Sequence, residues 1–196
     1  MAKLELDQIL RFEELLHRFA LVERVAHIKG RDTRENDAEH SYFLPMLAWY
    51  VIDAFELPLD TNKVLQYALV HDLVEVYAGD TYIYDVEARK TKHEREEKAR
   101  LRIAAEFPEF SSLNKLIETY ETQSDPESKF VKALDKIEPI IGNYLQKGRT
   151  WKEMNVSFEE FTTNKREKTA PVAEVRELLE DIILKIEPHK SDYFNS

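Results

Sequence analysis

The stretch LVHDLVEVYAGD, residues 69–80, combines the apolar spacing of a buried helix with ionisable side chains that such a helix normally excludes. Its apolar residues, such as Leu69, Leu73 and Val76, recur three or four positions apart, which is the period of one helix face. Burying a charged group is costly unless another group pairs with it. The stretch therefore predicts a partner for its ionisable side chains, which are His71, Asp72, Glu75 and Asp80.

The spacing of these residues directs three of them to one side of a helix. Asp72 and Glu75 are three positions apart, and His71 and Glu75 are four apart, so they share a face. Gly79 then allows the chain to turn, which places Asp80 just past the helix end. An imidazole among carboxylates favours a divalent cation, and this mixed nitrogen and oxygen set suits Mn, Fe, Co, Ni or Zn better than Ca or Mg. A surface His-Asp pair is the alternative at this point.

Two further stretches carry isolated polar residues of the same chemical types. In TRENDAEHSYFL, residues 33–44, Asn36 and Glu39 match a helix-capping box, which places His40 in the first turns of a helix. In FVKALDKIEP, residues 130–139, Asp135 interrupts an otherwise apolar helical stretch. Each residue alone is typical of a surface or half-exposed position, but the three stretches together favour a shared site.

The composition indicates a single all-α domain that spans residues 1–196. The length suits one hydrophobic core, and 4 Gly and 7 Pro are scattered along the chain, which is sparse punctuation for an all-β protein. Pro45 should kink the second helix or shift its start. The segment TYIYDV at 81–86 is the one candidate strand. The helical period predicts helices near 6–22, 37–56, 61–78, 86–107, 111–122, 126–147, 157–162 and 168–187.

Charge and composition also restrict the partners and the location. A net charge of −10 argues against binding to a nucleic-acid polymer, which requires a basic face. The sequence contains no apolar run near the roughly 20 residues of a membrane helix and no signal-peptide core at its start, so we expect no membrane partner. The absence of cysteine fits a reducing cytosol, and we expect a cytoplasmic protein.

The order His40, His71-Asp72, Asp135 resembles the H…HD…D pattern of HD-domain metal-dependent phosphohydrolases. The finer resemblance is to the branch of bacterial 5′-deoxynucleotidases, which is carried by ENDAEHS at 35–41, HDLVEVYAGD at 71–80 and KALDKIEP at 132–139. The resemblance covers residues 20–145, the expected motif core of an HD-type helical bundle. The helical extension at about 150–190 carries no motif that we recognise.

The resemblance implies a role for each residue of the pattern. His40, His71, Asp72 and Asp135 would hold one divalent transition metal, whose bound water loses a proton near neutral pH. Glu75 would orient the attacking water or accept its proton. The remaining roles concern the substrate: Asp80 would contact the sugar or protonate the leaving oxygen, and Arg24 would bind the phosphate.

The sequence departs from the branch at the residue after the upstream arginine. The branch usually has Trp there, where it shapes the sugar pocket, whereas this chain has Val25. We therefore expect a deoxyribose preference that is modest. We expect the charged stretch 87–102 to form a solvated helix face, and the alternative is that it forms a mobile cover over the site. His93, which lies within this stretch, is expected to be solvated. The remaining histidines, which are His17, His27 and His189, are expected to lie outside the site. Lys29, Arg31 and Arg34 form a basic cluster before His40 that we expect to be a solvated loop, with a phosphate-recognition loop as the alternative.

These residues are compatible with three functions to different degrees. The first is hydrolysis of a phosphomonoester, in particular a nucleoside 5′-monophosphate, because no Walker-type loop is present to hold a triphosphate. The second is nucleotide binding or sensing without turnover, against which Glu75 and Asp80 argue; a non-nucleotide phosphomonoester is a variant of the first. The third, di-iron redox chemistry, would need more histidines. We also expect a homodimer that pairs through an apolar stripe within 157–187.

Overall fold

The computed structural model describes residues 5–195, and this part of the chain is built from α-helices with one two-stranded antiparallel sheet. The all-α class predicted from the sequence is confirmed. The elements in chain order are α1 (Leu6–Phe19), β1 (Glu23–His27), β2 (Arg34–Asn36), α2 (Asp37–Ala54), α3 (Thr61–Val70), α4 (Glu75–Ala78), α5 (Val86–Lys90), α6 (Lys92–Glu106), α7 (Ser111–Thr122), α8 (Pro126–Leu145), α9 (Arg149–Glu153), α10 (Phe158–Thr169), α11 (Ala173–Ile186) and a terminal 3₁₀ helix (Glu187–Asp192).

The helices that carry the polar pattern begin at well-defined caps. At the start of α2, Asn36 Oδ1 accepts from the Glu39 amide and the Glu39 carboxylate accepts from the Asn36 amide, each at 3.0 Å. This is the predicted capping box. At the start of α8, the Asp125 carboxylate accepts from the Ser128 amide, and Pro126 occupies the first turn, where its fixed φ suits a helix. Both starts are therefore fixed locally, by residues that flank the site.

The hydrophobic core surrounds helix α8. One buried cluster joins α2, α3, α8, α10 and α11 through residues such as Leu44, Leu134 and Leu179, all of them fully buried. A second cluster joins α1, α6 and α7 through Leu15, Ile103 and Ile117. Burying one such side chain contributes about 1.5–3 kcal/mol, so these clusters hold α2 and α8 in fixed positions with their polar residues between them.

The small sheet was not predicted. Helix α1 ends at Phe19, three residues earlier than expected, and β1 pairs with β2 in the register Glu23↔Asn36 and His27↔Arg34. The Asp37 amide also donates to the Val22 carbonyl at 3.0 Å. Strands this short offer too few residues for apolar alternation to emerge. The candidate strand at 81–86 was wrong, because that segment forms a turn before α5.

The predicted helix 61–78 is interrupted at His71. Helix α3 ends at Val70 and α4 begins at Glu75, and a tight turn joins them. Within it, amides bond to carbonyls three residues back, for example from Glu75 to Asp72 at 2.8 Å, which is the tighter 3₁₀ pattern. The period of a single helix is lost here, and His71 and Asp72 lie in the turn rather than within a helix.

Other boundaries differ at identifiable positions. The predicted helix 86–107 divides at Thr91 into α5 and α6, and α2 continues through Pro45 to Ala54. Helix α9 was not predicted, and α10 extends to Thr169. Helix α11 starts only after Pro171, because the helical conformation is disfavoured for the residue before a proline.

The segment after residue 150 packs into the main core. Trp151 stacks on Phe194 and lies against Phe161, with ring centroids 4.8 Å apart in each pair. The apolar face of α11 is buried, and within 157–187 the one exposed large apolar side chain is Leu184. The predicted stripe for dimer contact was therefore wrong, because these residues stabilise the monomer. In residues 5–195 no helix is both long and apolar enough to cross a membrane.

Candidate active site

Four polar side chains from three helical regions converge between α2, the turn after α3 and α8. Each offers one nitrogen or oxygen atom, and these four atoms lie within 4.8 Å of one another. The imidazoles are almost fully buried, with exposed fractions of 0% and 3%. Sequence reasoning named the same four residues, and the fold brings all of them together: His40, His71, Asp72 and Asp135.

The protonation of His71 follows from its backbone contact. Its Nδ1 lies 2.8 Å from the Ala68 carbonyl, which can only accept a hydrogen bond, so Nδ1 carries a proton. Its Nε2 is buried without a hydrogen bond in the described chain, yet it lies 2.9 Å from Asp72 Oδ2. A contact of this length between two electron-rich atoms is satisfied by a proton on Nε2 or by a metal ion that both atoms bind. The position and the donor types fit a divalent transition metal.

His40 is held by carboxylates on both sides of its ring. Nδ1 donates to Glu138 and Nε2 donates to Asp135, each at 3.1 Å. Burial and the charge of Arg24 oppose protonation, but the hydrogen bonds to Asp135 and Glu138 outweigh them and raise the pKa of His40 to about 10. The surroundings of this imidazole therefore favour positive charge, and the Glu138 contact fixes the ring so that Nε2 faces the cluster.

Both aspartates of the cluster are anionic. Burial works against their charge, yet His71 and Arg24 hold the pKa of Asp72 well below its usual range. Burial is likewise outweighed at Asp135, where Lys136 and the histidines hold the pKa far below normal. Two anionic oxygens beside two imidazoles form a donor set of the kind that divalent metals bind.

Glu75 lies next to the cluster rather than in it. Its carboxylate groups with Asp72 and Asp37, and its exposed fraction is 3%. Oε1 accepts from Lys92 Nζ at 3.2 Å, while Oε2 is buried without a hydrogen bond in residues 5–195. Burial first, and then the charge of Asp72, raise the pKa of Glu75 well above normal. A carboxylate with high proton affinity and an unused oxygen is suited to accepting a proton.

Asp80 reaches the same cavity after a turn at Gly79. Gly79 has φ 73° and ψ 149°, a conformation that favours glycine, so this turn depends on the residue that the sequence supplies. Asp80 lines the cavity beside Asp72 and Glu75. Burial raises its pKa above the ordinary aspartate value, so its carboxyl group retains a proton more readily than a solvated one.

Arg24 lies behind the cluster and is largely engaged by carboxylates. Its Nη1 donates to Asp72 at 2.8 Å and to Asp37 at 3.2 Å, and its Nε lies 3.3 Å from Glu35. Burial, partly offset by Arg24, raises the pKa of Glu35 and of Asp37 to about 7. Nε lies near Glu35 without forming a hydrogen bond, and the described chain provides no hydrogen bond to Nη2 either, so the carboxylates around the guanidinium limit its capacity for a ligand.

The charged stretch 87–102 has two faces. Most of its charges are solvated, as expected, and so is His93. Lys92, however, points inward to Glu75, and Arg95 donates to Thr81 Oγ1 at 2.7 Å. The stretch therefore also borders the site, and its alternative role as a mobile cover over the site stays a prediction.

The basic cluster and the other histidines singled out in the sequence lie outside the cavity. Lys29, Arg31 and Arg34 are exposed, and His27 pairs with Glu153 at 2.8 Å.

The cavity beside the cluster is also lined by residues that sequence reasoning missed. They include residues of the loop after α4, of α8 beyond Asp135, and of α9 and α10. The lining residues already named from the sequence are Arg24, Val25, Asp72, Glu75, Asp80 and Asp135. A lysine inside an amphipathic helix gives no signal of its orientation. The missed lining residues include Tyr82, Lys136, Trp151 and Lys165.

Comparison with known proteins places this geometry in a family. A sequence model described as HD domain matches residues 18–176. The 5′-deoxynucleotidase HDDC2 of Mus musculus is 35% identical over 136 residues, covering 68% of this chain and 67% of the relative. The 5′-deoxynucleotidase hdd1 of Schizosaccharomyces pombe is 28% identical over 139 residues, covering 67% and 69%.

Solved structures agree with the sequence relatives. A predicted metal-dependent phosphohydrolase from Magnetospirillum magnetotacticum MS-1 superposes with a TM-score of 0.73 at 27% identity, covering 90% of this chain and 91% of that one. A conserved hypothetical protein from Pyrococcus furiosus gives 0.61 at 25% identity, covering 94% and 99%. The residues matched by the family model include the buried His and Asp cluster, and the chain belongs to the HD domain family.

Proposed function

We propose that this protein is a metal-dependent phosphohydrolase that releases phosphate from nucleoside 5′-monophosphates, with deoxyribonucleotides as preferred substrates. The observation that carries the proposal is the convergence of two imidazoles and two carboxylates within 4.8 Å, beside a buried glutamate with an unused oxygen. Similarity to proteins named 5′-deoxynucleotidase supports the substrate class.

The ligands in this proposal are His40, His71, Asp72 and Asp135. A divalent ion held by these residues would supply a water with a lowered pKa and positive charge for the phosphoryl oxygens. The nitrogen and oxygen donors support Mn, Fe, Co, Ni or Zn. The unpartnered His71 Nε2 supports this assignment independently of the sequence pattern.

Glu75 accepts the proton of the attacking water in this proposal. Its Oε2 is unpartnered and its Oε1 is fixed by Lys92, so the carboxylate is oriented before substrate arrives. Lys92 is also paired with Glu96 at 2.9 Å, which limits its movement. A base that is positioned and has an elevated pKa matches the requirement of proton transfer near neutral pH.

Asp80 serves the substrate on the other side of the cavity. Its elevated pKa supports donation of a proton to the leaving 5′ oxygen or a hydrogen bond to a sugar hydroxyl. Arg24 contributes mainly by holding Asp72 in place, with Nη2 left for a phosphate oxygen. This differs from a free bidentate grip, because two of its three nitrogens already contact carboxylates.

The charge balance of the cavity supports a small dianion. Among its described lining residues four are cationic and four are carboxylic acids, so formal charges cancel before a divalent ion is added. The added ion would leave an excess of positive charge, which a phosphate monoester dianion offsets.

Val25 lines the cavity, which supports its place beside the sugar of the substrate.

The test is phosphate release from a panel of ribo- and deoxyribonucleoside 5′-monophosphates with Mn²⁺, Co²⁺, Ni²⁺, Zn²⁺ or Fe²⁺. Asp72→Asn is the control for contaminating phosphatases, since it removes one ligand. Sugar phosphates test whether the nucleoside is required. Release from the nucleotides above the control supports the proposal, and no release with any metal contradicts it.

We further propose a cytoplasmic homodimer, with a contact surface on α2. Large apolar side chains of this helix are exposed, and a helix that is apolar on all sides is normally buried. Light scattering at micromolar concentration tests this, and a monomer mass contradicts it. The exposed apolar side chains of α2 are those of Tyr42, Phe43, Met46, Trp49 and Tyr50.

The absence of cysteine supports the cytoplasmic location.

A further inference from the structure

Lys165 is a buried cation in the segment that carries no recognised motif. It lies on α10 with an exposed fraction of 6%, and it lines the cavity next to the polar cluster. Its Nζ donates one hydrogen bond, to the Lys136 carbonyl at 3.1 Å. An ammonium group has three donors, so two of them remain for another acceptor.

The other cations that line the cavity are all paired. Arg24 contacts Asp72, Lys92 contacts Glu75, and Lys136 contacts Asp135. In the described chain Lys165 is the lining cation for which no carboxylate lies within 4.0 Å. Removing a charge from water without pairing it is costly. A binding site tolerates this cost in the free protein because the ligand provides the missing partner when it binds.

We propose that Lys165 is a substrate-binding residue that binds the phosphate group of the substrate, so that helix α10 completes the active site. This inference rests on the proposed phosphomonoesterase function. It assigns to the C-terminal segment a direct role in phosphate recognition that Arg24, engaged by three carboxylates, can fill only in part.

The position of Lys165 favours the phosphate over the nucleobase. Its hydrogen-bond partner is the backbone of Lys136, the residue directly after the cluster residue Asp135. This hydrogen bond, at 3.1 Å, places the charge of Lys165 at the cluster end of the cavity. A phosphate bound at the cluster end would thus lie near the free donors, and charge-assisted hydrogen bonds are the strongest kind.

Burial, together with the charge of Lys136, lowers the pKa of Lys165 to about 7. The protein therefore keeps this lysine at a cost in its charged form. An anionic ligand would offset the cost, whereas a purely structural role would be served as well by a neutral donor.

The test compares inorganic phosphate binding by wild type, Lys165→Met and Lys165→Gln, measured by titration calorimetry on metal-loaded protein at pH 7. Gln retains a donor for the Lys136 carbonyl, so it remains informative if the Met variant does not fold. Lys168→Met is the matched control, because Lys168 lies on the same helix but outside the cavity. Steady-state kinetics on the same proteins give KM and kcat separately.

We expect both Lys165 variants to bind phosphate about 10–100-fold more weakly, the loss typical of one charge-assisted hydrogen bond, with KM raised by a similar factor and Lys168→Met unchanged. Equal phosphate affinity in wild type and either folded variant would overturn the inference, as would a wild type that binds no phosphate. Binding that depends on Lys165 in a protein without hydrolase activity would instead overturn the proposed function alone.

Discussion

The proposed roles of Asp72 and Glu75 predict that two conservative variants both lose activity but differ in their metal content. Asp72→Asn should lose both bound metal and activity, because Asp72 Oδ2 lies 2.9 Å from His71 Nε2 and 2.8 Å from Arg24. Glu75→Gln should retain metal and lose activity, because Glu75 lies outside the four-residue cluster. An amide is nearly isosteric with the carboxylate but cannot accept the proton.

The magnitude follows from the surroundings of Glu75. Its loss leaves Lys92 paired with Glu96 at 2.9 Å, so the wall of the cavity keeps its anchor and the variant should fold. Removing a general base lowers kcat by about 10²–10⁴-fold. This corresponds to about 2.7–5.4 kcal/mol of activation free energy, at about 1.36 kcal/mol per tenfold change.

Metal content by mass spectrometry after dialysis and phosphate release with the best metal measure the two effects. Glu96→Gln is the matched control, because it also removes a carboxylate from Lys92 but lies outside the catalytic cavity. If Glu75→Gln lost metal as completely as Asp72→Asn, Glu75 would be a ligand. Wild-type kcat in Glu75→Gln would remove it from the reaction.

Three further predictions test other parts of the site. Glu138→Ala should weaken metal affinity by about 10–100-fold, since it orients His40; unchanged affinity in a metal titration would contradict this. Wild type should prefer deoxyribonucleotides only modestly by kcat/KM, and Val25→Trp should increase the preference by about 10–200-fold; a lower preference in the variant would argue against Val25 as a sugar contact. Between pH 7 and 10, metal-free wild type should gain unfolding free energy relative to Lys165→Met by up to about 1.4 kcal/mol per pH unit, because the unfolded lysine still binds a proton that the folded one has released; a constant difference in denaturant titrations would refute this.

The sequence predicted the parts of the site that depend on local chemistry. The capping box of Asn36 and Glu39 fixes the start of α2 and thereby the depth of His40. Asp135 could be singled out because a charged residue inside an apolar helix requires a partner. Such residues can be identified from their local sequence alone, and the helical period then predicts that they lie on helices.

The features that were missed depend on tertiary contacts. The sheet β1–β2 is too short to produce an alternating pattern, and the break at His71 arises within a stretch that is helical by spacing. Lys165 has the sequence context of an ordinary exposed lysine, and only the packing of α10 on α8 shows that it is buried. The apolar stripe expected to form a dimer contact was instead part of the core.

The most direct test of the account is anomalous diffraction from crystals of the protein loaded with Zn²⁺. We predict one strong peak at about 2.0–2.2 Å from a nitrogen of His40 and of His71 and from a carboxylate oxygen of Asp72 and of Asp135, with Glu75 outside this distance. A peak that lies elsewhere, or crystals that bind no metal at the four side chains, would contradict the central claim.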